Sequence, residues 1–253
     1  MNILTCEENN RDTYPLISII LISLNSVRTI ELCLQSIITL DYPSIELIVV
    51  DGESTDGTIE ILRKYDSKID NLIIEKDSGI YDAMNKGAKS ASGDFLYFTG
   101  ADDVIVNSWK NLTGKLKPGN TVYYGNAYFP VLNRIYNGKF SRTEMLFRNI
   151  CQQAIFYPAS VFKKYMFSDR YPFMADYHLN LILRSDKEFR FKYIELLVAI
   201  FSERGVSSKL MDYEFQKERG KIIRQNFSYF FYIVFIFGMT LKKWFWKSRN
   251  KKI

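Results

Sequence analysis

Residues 45–58 read IELIVVDGESTDGT. Ile45–Val50, apolar except at Glu46 and rich in β-branched residues, reads as a buried strand. Acids and small polar residues follow at once, from Asp51 to Gly57. Thr58–Tyr65 then reads as a helix, for which Ser54, Thr55 and Asp56 offer capping side chains. Upstream, Leu16–Leu24 (LISIILISL) is a second buried strand. Thr29–Leu40 carries Ile30, Leu34, Ile37 and Ile38 at helical spacing, and Asp41-Tyr42-Pro43 ends it, because proline cannot continue a helix and restricts its predecessor. Downstream, Leu72–Glu75 is a short strand, Tyr81–Ala91 a helix and Phe95–Phe98 a fourth strand. Strands alternate with helices, and each crossover is long enough for a parallel βαβ unit. The expected fold class is α/β, an open doubly wound sheet. In such sheets ligands bind outside the carboxyl ends of the strands. The residues there are Asn25 and Ser26, Asp51 to Thr58, Glu75 to Gly79, and Gly100-Ala101-Asp102-Asp103. Three of these four strand ends are acidic.

The rest of the 253-residue chain narrows the chemistry. Hydrophobic residues make up 47% and charged residues 25%, which excludes wholesale disorder. Cys6, Cys33 and Cys151 lie far apart without a CxxC, against a disulfide framework or zinc-cysteine site and in keeping with a reducing compartment. His178 is the one histidine, so any metal must be held mainly by carboxylates, which suits Mg²⁺ or Mn²⁺. The net charge of +6 is unevenly placed: residues 219–253 hold nine Lys/Arg and no acid, leaving 25 Lys/Arg against 28 Asp/Glu over 1–218. A mildly acidic body with a basic tail does not suggest nucleic acid. The first fifteen residues have no apolar run long enough for a signal peptide, and no segment reaches the ~20 uninterrupted apolar residues of a standard membrane span.

The strand-end acids have specific uses. Asp102 and Asp103 repel each other unless donors or a cation sit between them; a divalent cation bridging a diphosphate would supply that charge, and the alternative is a solvated turn. Asp51 can accept hydrogen bonds from a ribose hydroxyl or a base N–H; the alternative, a helix N-cap, suits Ser54 or Asp56 better. Neither GxGxxG nor GxxxxGK[ST] is present.

Taken in order, VVDGESTDGT, EKDSGIYDAMNKGAKSASGD and FTGADD resemble the family 2 glycosyltransferases with the GT-A nucleotide-sugar fold, in the branch that builds bacterial surface polysaccharides such as O-antigen or capsule on lipid carriers. The similarity covers roughly residues 15–205. It implies a Rossmann-like, mostly parallel sheet flanked by helices. A catalytic domain would span 1–218, with a donor half at about 15–105 and an acceptor half at about 106–210. It implies a metal-dependent inverting transferase that uses a nucleotide-sugar, a UDP-sugar by analogy, on a lipid-diphosphate-linked saccharide, at the cytoplasmic face of the inner membrane. By resemblance Asp51 contacts the uracil or ribose, Asp77 is a second nucleotide contact, and Asn25 and Ala101 line the donor site. Lys86 approaches the diphosphate or is merely solvated. Asp102 matches the metal-binding acid of the family's DxD motif, but the first position of that motif is Gly100 here. Gln153 is carried over as a contact to an acceptor sugar or phosphate; Gln152 stands where relatives usually have His. Asp176, in FMADYHLNLILR, matches the acid that opens a helix and serves as catalytic base; the alternative is a plain N-terminal helix acid. His178 reads as a surface or supporting histidine.

Residues 219–253 form the tail. Phe227–Leu241 has twelve apolar or aromatic residues in fifteen. As a helix it is ~22 Å long, short of the ~30 Å hydrocarbon core. KKWFWKSRNKK follows. The expectation is a membrane-surface anchor through 227–253, the alternative a helix packed on the body. Two other functions remain open: a sugar nucleotidyltransferase, which places a glycine-rich basic loop where this chain reads LNSVRTI, and a non-catalytic sugar- or lipid-binding module. Between 104 and 150 the stretch YYGNAYFP reads as a Gly/Asn/Tyr-rich loop.

Overall fold

The computed structural model describes residues 14–136, 138–203 and 212–250, without the side chains of residues 243 and 245–250. Cys6 with the start of the chain, the end of the acceptor half and the last three residues lie outside these. The fold is a mixed α/β sheet with helices on both faces. Strand β1 (Ile17–Ser23) is central in its parallel half, between β2 (Ile45–Asp51) and β4 (Phe95–Gly100), with β3 (Asn71–Ile74) beyond β2. Successive side chains of a strand point to opposite faces, and β1 uses both. Ile19 and Leu21 pack with α1 (Ile30–Ile38) and with Leu62 of α2 (Thr58–Lys64). Ile20 packs on the other face with Tyr81 and Met84 of α3 (Ile80–Ser90). This two-sided burial is why β1 is apolar at nearly every position.

Helix α3 comes unusually close to the sheet at Gly87. A Cβ there would overlap the Ile20 Cγ2 and sit 3.3 Å from Val50 Cγ2, both on β-branched side chains with little freedom to move aside. Gly87→Val should therefore destabilise the protein by about 1–3 kcal/mol through overpacking. A lower urea midpoint with an unchanged slope would report it; an unaltered midpoint would show that the contact gives way freely.

The second half widens the sheet with β5 (Val104–Ile105), β6 (Thr121–Phe129), β7 (Arg134–Tyr136), β8 (Ile155–Pro158) and β9 (Arg190–Ile200). The order is β3-β2-β1-β4-β8-β6-β9-β5, with β7 paired to β6. Here the pairing is mixed: β8 is antiparallel to both β4 and β6, while β6 and β9 are parallel. The expected loop YYGNAYFP is thus corrected to strand β6. Gly125 occupies a register shift in the β6–β9 ladder, where a Cβ would come within 2.6 Å of the Leu196 carbonyl oxygen. The glycine that reads as a loop signal marks a bulge with close backbone approach.

Helices α4 (Ser160–Lys164) and α5 (Ala175–Ser185) follow, then α6 (Tyr213–Asn226) and α7 (Tyr229–Asn250). The division drawn at 218/219 falls inside α6. Asp212 caps that helix by accepting from the Phe215 N–H, and Phe215 and Ile222 share the core that holds α3 and α5. Among the described residues, no helix is long and apolar enough to cross a membrane.

Candidate active site

Strand register decides what can meet. Ser23 of β1 pairs with Asp51 of β2, and Ile22 with Gly100 of β4. Asp51 and the turn after Gly100 therefore lie at one rim of the sheet, on either side of β1, about 10 Å apart at two strand spacings. The Asp51 backbone also pairs with Ile74 at the end of β3, and the Glu75 N–H donates to the Asp51 carbonyl, which brings Glu75–Gly79 to the same rim.

Asp51 is fully buried. Its carboxylate accepts from the Ser23 hydroxyl at 2.6 Å, the Ser54 N–H at 2.7 Å and the Ser54 hydroxyl at 2.8 Å. It holds the β2 turn closed, and of its roughly four acceptor positions these donors take three. Asn25 links the first two strand ends: its N–H donates to the Ser54 hydroxyl and its side-chain oxygen accepts from the Thr55 N–H. Asn25 and Glu53 both have positive φ, 49° and 62°, a conformation costly for Glu53 that clusters at functional sites.

Asp77 lies against this turn. A Cβ on Gly52 would fall 2.5 Å from Asp77 Oδ2, so the missing side chain lets the carboxylate rest against the turn. Burial holds Asp77 above the ordinary carboxylate range, and Asp82 and Asp51 push the same way. Lys86 clamps the loop. Its Nζ donates to the Lys76 carbonyl and pairs with Glu75 at 3.2 Å and Asp82 at 3.5 Å. Here the charge of Lys86 is shared by these two acids and holds the loop.

At the end of β4, Ala101 is buried and its N–H donates to the Ile22 carbonyl, so it positions the turn through its backbone. Asp103 is buried, accepting from the N–H groups of Gly100 and Ser202 and from Gln153 Nε2. Burial first, then the neighbouring Asp102, push its carboxyl up to about 7. Asp102 differs: it is half-buried, and among the described residues nothing hydrogen-bonds to its carboxylate. A Cβ at Gly100 would meet Asp102 Oδ1 at 3.0 Å and Asp103 Oδ2 at 3.3 Å, so the DxD departure leaves space for Asp102 to fold back. No group of three or more His, Cys, Asp or Glu among the described residues could cage a metal. One open carboxylate does fit a hard cation that takes its other ligands from water and phosphate oxygens.

Gln153, expected at an acceptor, spends its amide on Asp103 at 2.9 Å, while its backbone carbonyl accepts from Tyr97. Gln152 is buried against Met84. The group nearest the expected base is Asn149. Asp176 is the second residue of α5, buried, with Oδ2 accepting from Asn149 Nδ2 at 2.5 Å and Oδ1 from the Tyr81 hydroxyl at 2.8 Å. Asn180 donates to Asn149 Oδ1, and Tyr157 donates to Asn180 Oδ1. Burial raises the Asp176 carboxyl; the Tyr81, Tyr177 N–H and Asn149 donors pull it part of the way back. The His178 ring lies tilted against that of Tyr171, centroids 4.8 Å apart, and burial lowers its pKa.

Tyr81, Asn149 and Asn180 escape a reading by strand ends. Tyr81 lies 95 residues from Asp176 in sequence, on a helix where it reads as a core aromatic. Asn149 opens NICQQAIFY, where it is one of three amides and nothing in the sequence sets it apart from Gln152 and Gln153.

The sequence model described as "Glycosyl transferase family 2" matches residues 18–213. A PGL/p-HBAD biosynthesis glycosyltransferase of Mycobacterium bovis (strain BCG / Pasteur 1173P2) is 35% identical over 214 residues, covering 80% of this chain and 83% of its own. Among solved structures, S. aureus TarS 1-349 superposes with a TM-score of 0.59 at 20% identity, over 82% of this chain and 65% of TarS 1-349. The chain thus spans under two thirds of that protein's length. The mannosyltransferase PcManGT of Pyrobaculum calidifontis, in complex with GDP-Man and Mn²⁺, gives 0.57 at 18% identity, over 84% of this chain and 63% of its own. At these identities the two structures share the fold with this chain.

Proposed function

Because the chain belongs to glycosyl transferase family 2, we propose that it moves a sugar from a nucleoside-diphosphate donor, a UDP-sugar, to a hydroxyl of a lipid-linked saccharide in bacterial surface polysaccharide or glycolipid synthesis. The observation that carries the reading is the hydrogen bond from Tyr81 to Asp176. Tyr81 follows Asp77 by four residues, so the bond ties the acceptor-side carboxylate to the rim that holds Asp51, Asp77 and Asp102. A UDP donor is supported by the fold shared with TarS, solved with UDP-GlcNAc. A lipid-linked acceptor is supported by the mycobacterial relative, whose name assigns it to PGL/p-HBAD biosynthesis. With such an acceptor, the proposed place of work is the cytoplasmic face of the inner membrane.

In the reaction the acceptor oxygen attacks the anomeric carbon from the side opposite the diphosphate. The C–O bond to the phosphate breaks, the proton of the acceptor hydroxyl passes to Asp176, and the nucleoside diphosphate leaves. Configuration inverts, and no covalent sugar–enzyme bond forms. Asp51 and Asp77 hold the nucleoside end. Asp102 would hold Mn²⁺ or Mg²⁺, which when bound would supply positive charge to the diphosphate. A donor screen tests the reading: nucleoside diphosphate release should require both one particular nucleotide-sugar and a lipid-diphosphate sugar. Release from no donor, or release indifferent to acceptor, would overturn it.

The base must be ionised to work, so the rate falls as pH drops through the raised pKa of Asp176. Tyr81→Phe removes a donor that favours the carboxylate form. The acid limb of the kcat profile should then move to higher pH, while the plateau drops by no more than about tenfold, the worth of one hydrogen bond. A limb that stays in place would remove Tyr81 as a positioning residue.

A further inference from the structure

Helix α7 divides into two faces. On one, Phe235 is buried with Leu146 and Ile223, and Gly238 meets the ring of Phe147 so closely that a Cβ would fall within 2.6 Å of it. On the other, Tyr229, Phe230, Ile233, Ile236, Phe237 and Leu241 are exposed. At 100° per residue these six fall within one arc of about 140°. A soluble surface rarely gathers large apolar side chains in one patch without a use for it. The inner face is committed to the body, so lipid can reach this helix from one side only, which excludes a spanning arrangement and fits an in-plane one.

We propose that this outer face of α7 docks on an anionic lipid bilayer. Charge complementarity selects that occupant. The stretch 219–253 has nine Lys/Arg and no acid, Arg224 on α6 and Lys242 just after Leu241 on α7 are exposed, and cations in the same segment as an apolar helix face are what an acidic headgroup layer attracts. The inference rests on the proposed lipid-linked acceptor for its purpose and deepens it by joining the docked helix to the base. Arg219 lies between the Phe235 ring, at 5.2 Å, and the Tyr177 ring, at 6.0 Å. Tyr177 is the neighbour of Asp176, and its hydroxyl donates to the Met145 carbonyl. Asn149, which donates to Asp176, lies two residues beyond Phe147. Packing on α7 thus fixes Asp176 relative to the bilayer plane, where a lipid carrier presents its sugar.

Flotation of the full-length protein with vesicles tests the docking without any nucleotide-sugar. Binding should occur on mixed phosphatidylglycerol–phosphatidylcholine vesicles, weaken with salt and be slight on phosphatidylcholine alone. The double variant Phe230→Asp/Phe237→Asp alters exposed positions only; it should lower vesicle partition by at least about tenfold and leave transfer to a short soluble acceptor unchanged. Failure of the intact protein to float with anionic vesicles would overturn the proposal, as would undiminished binding by the double variant. A lipid-free dimer that the double variant abolishes would also overturn it, by giving the face to a second copy. Loss of binding in the variant, together with no nucleotide-sugar turned over by either protein, would keep the docking and reject the transferase reading of the site.

Discussion

Asp176→Asn should keep donor affinity and lose about 10²–10⁴ in kcat, the factor of an ordinary general base. An acceptor hydroxyl, with a pKa far above neutrality, needs a proton acceptor as its oxygen attacks. Asp176 has the attributes for it. It is buried, its carboxyl is raised toward working pH by that burial, and Tyr81 and Asn149 fix one oxygen each. Two bonded positions leave lone pairs for the incoming hydroxyl. Asparagine matches aspartate in size but cannot take a proton at this pH. Nucleoside diphosphate titration would measure donor affinity, and single-turnover transfer the chemical step. Near-normal turnover would exclude Asp176 as the base; loss of donor binding along with turnover would make it a structural residue of the rim.

The parallel half of the fold was legible because burial on both faces leaves a clear mark: β1, β2 and β4 are mostly apolar on both faces, and the rule that ligands gather at strand ends selects Asp51, Asp77 and Asp102. Strand β6 was not legible. Its glycine and asparagine look like loop residues until β9 lies beside them, where Gly125 serves the bulge and Asn126 donates to Tyr193. At the site, residue type predicted location better than it predicted partner. Asp51, Asp77 and Asp102 share the expected rim, whereas Lys86 and Gln153 are spent on neighbouring acids. Asp176 was identified through resemblance alone. Its two donors come from segments 95 and 27 residues away, a juxtaposition that exists only once α3 and the 144–149 turn pack against α5.

Chelation by EDTA should abolish turnover, with Mn²⁺ or Mg²⁺ restoring it, and Asp102→Asn should lower kcat by about 10²–10³ in saturating metal, the scale of losing one preorganised electrostatic contact to developing charge. The argument turns on the difference between two adjacent acids. Asp103 is enclosed by three donors and pushed up to about 7, so it is committed to joining the ends of β4 and β9. Asp102 is half-buried, and no donor among the described residues engages it. A hard divalent cation is content with one such oxygen ligand when phosphate and water complete its shell. Such a cation would relieve the repulsion that Asp102 exerts on an incoming diphosphate, so removing it should weaken donor binding as well as turnover. Asp103→Asn, by contrast, should lower stability while the metal requirement persists. Full activity in EDTA would leave Asp102 without a cation to hold, and the charge of the leaving diphosphate would then have to be met by protein donors alone.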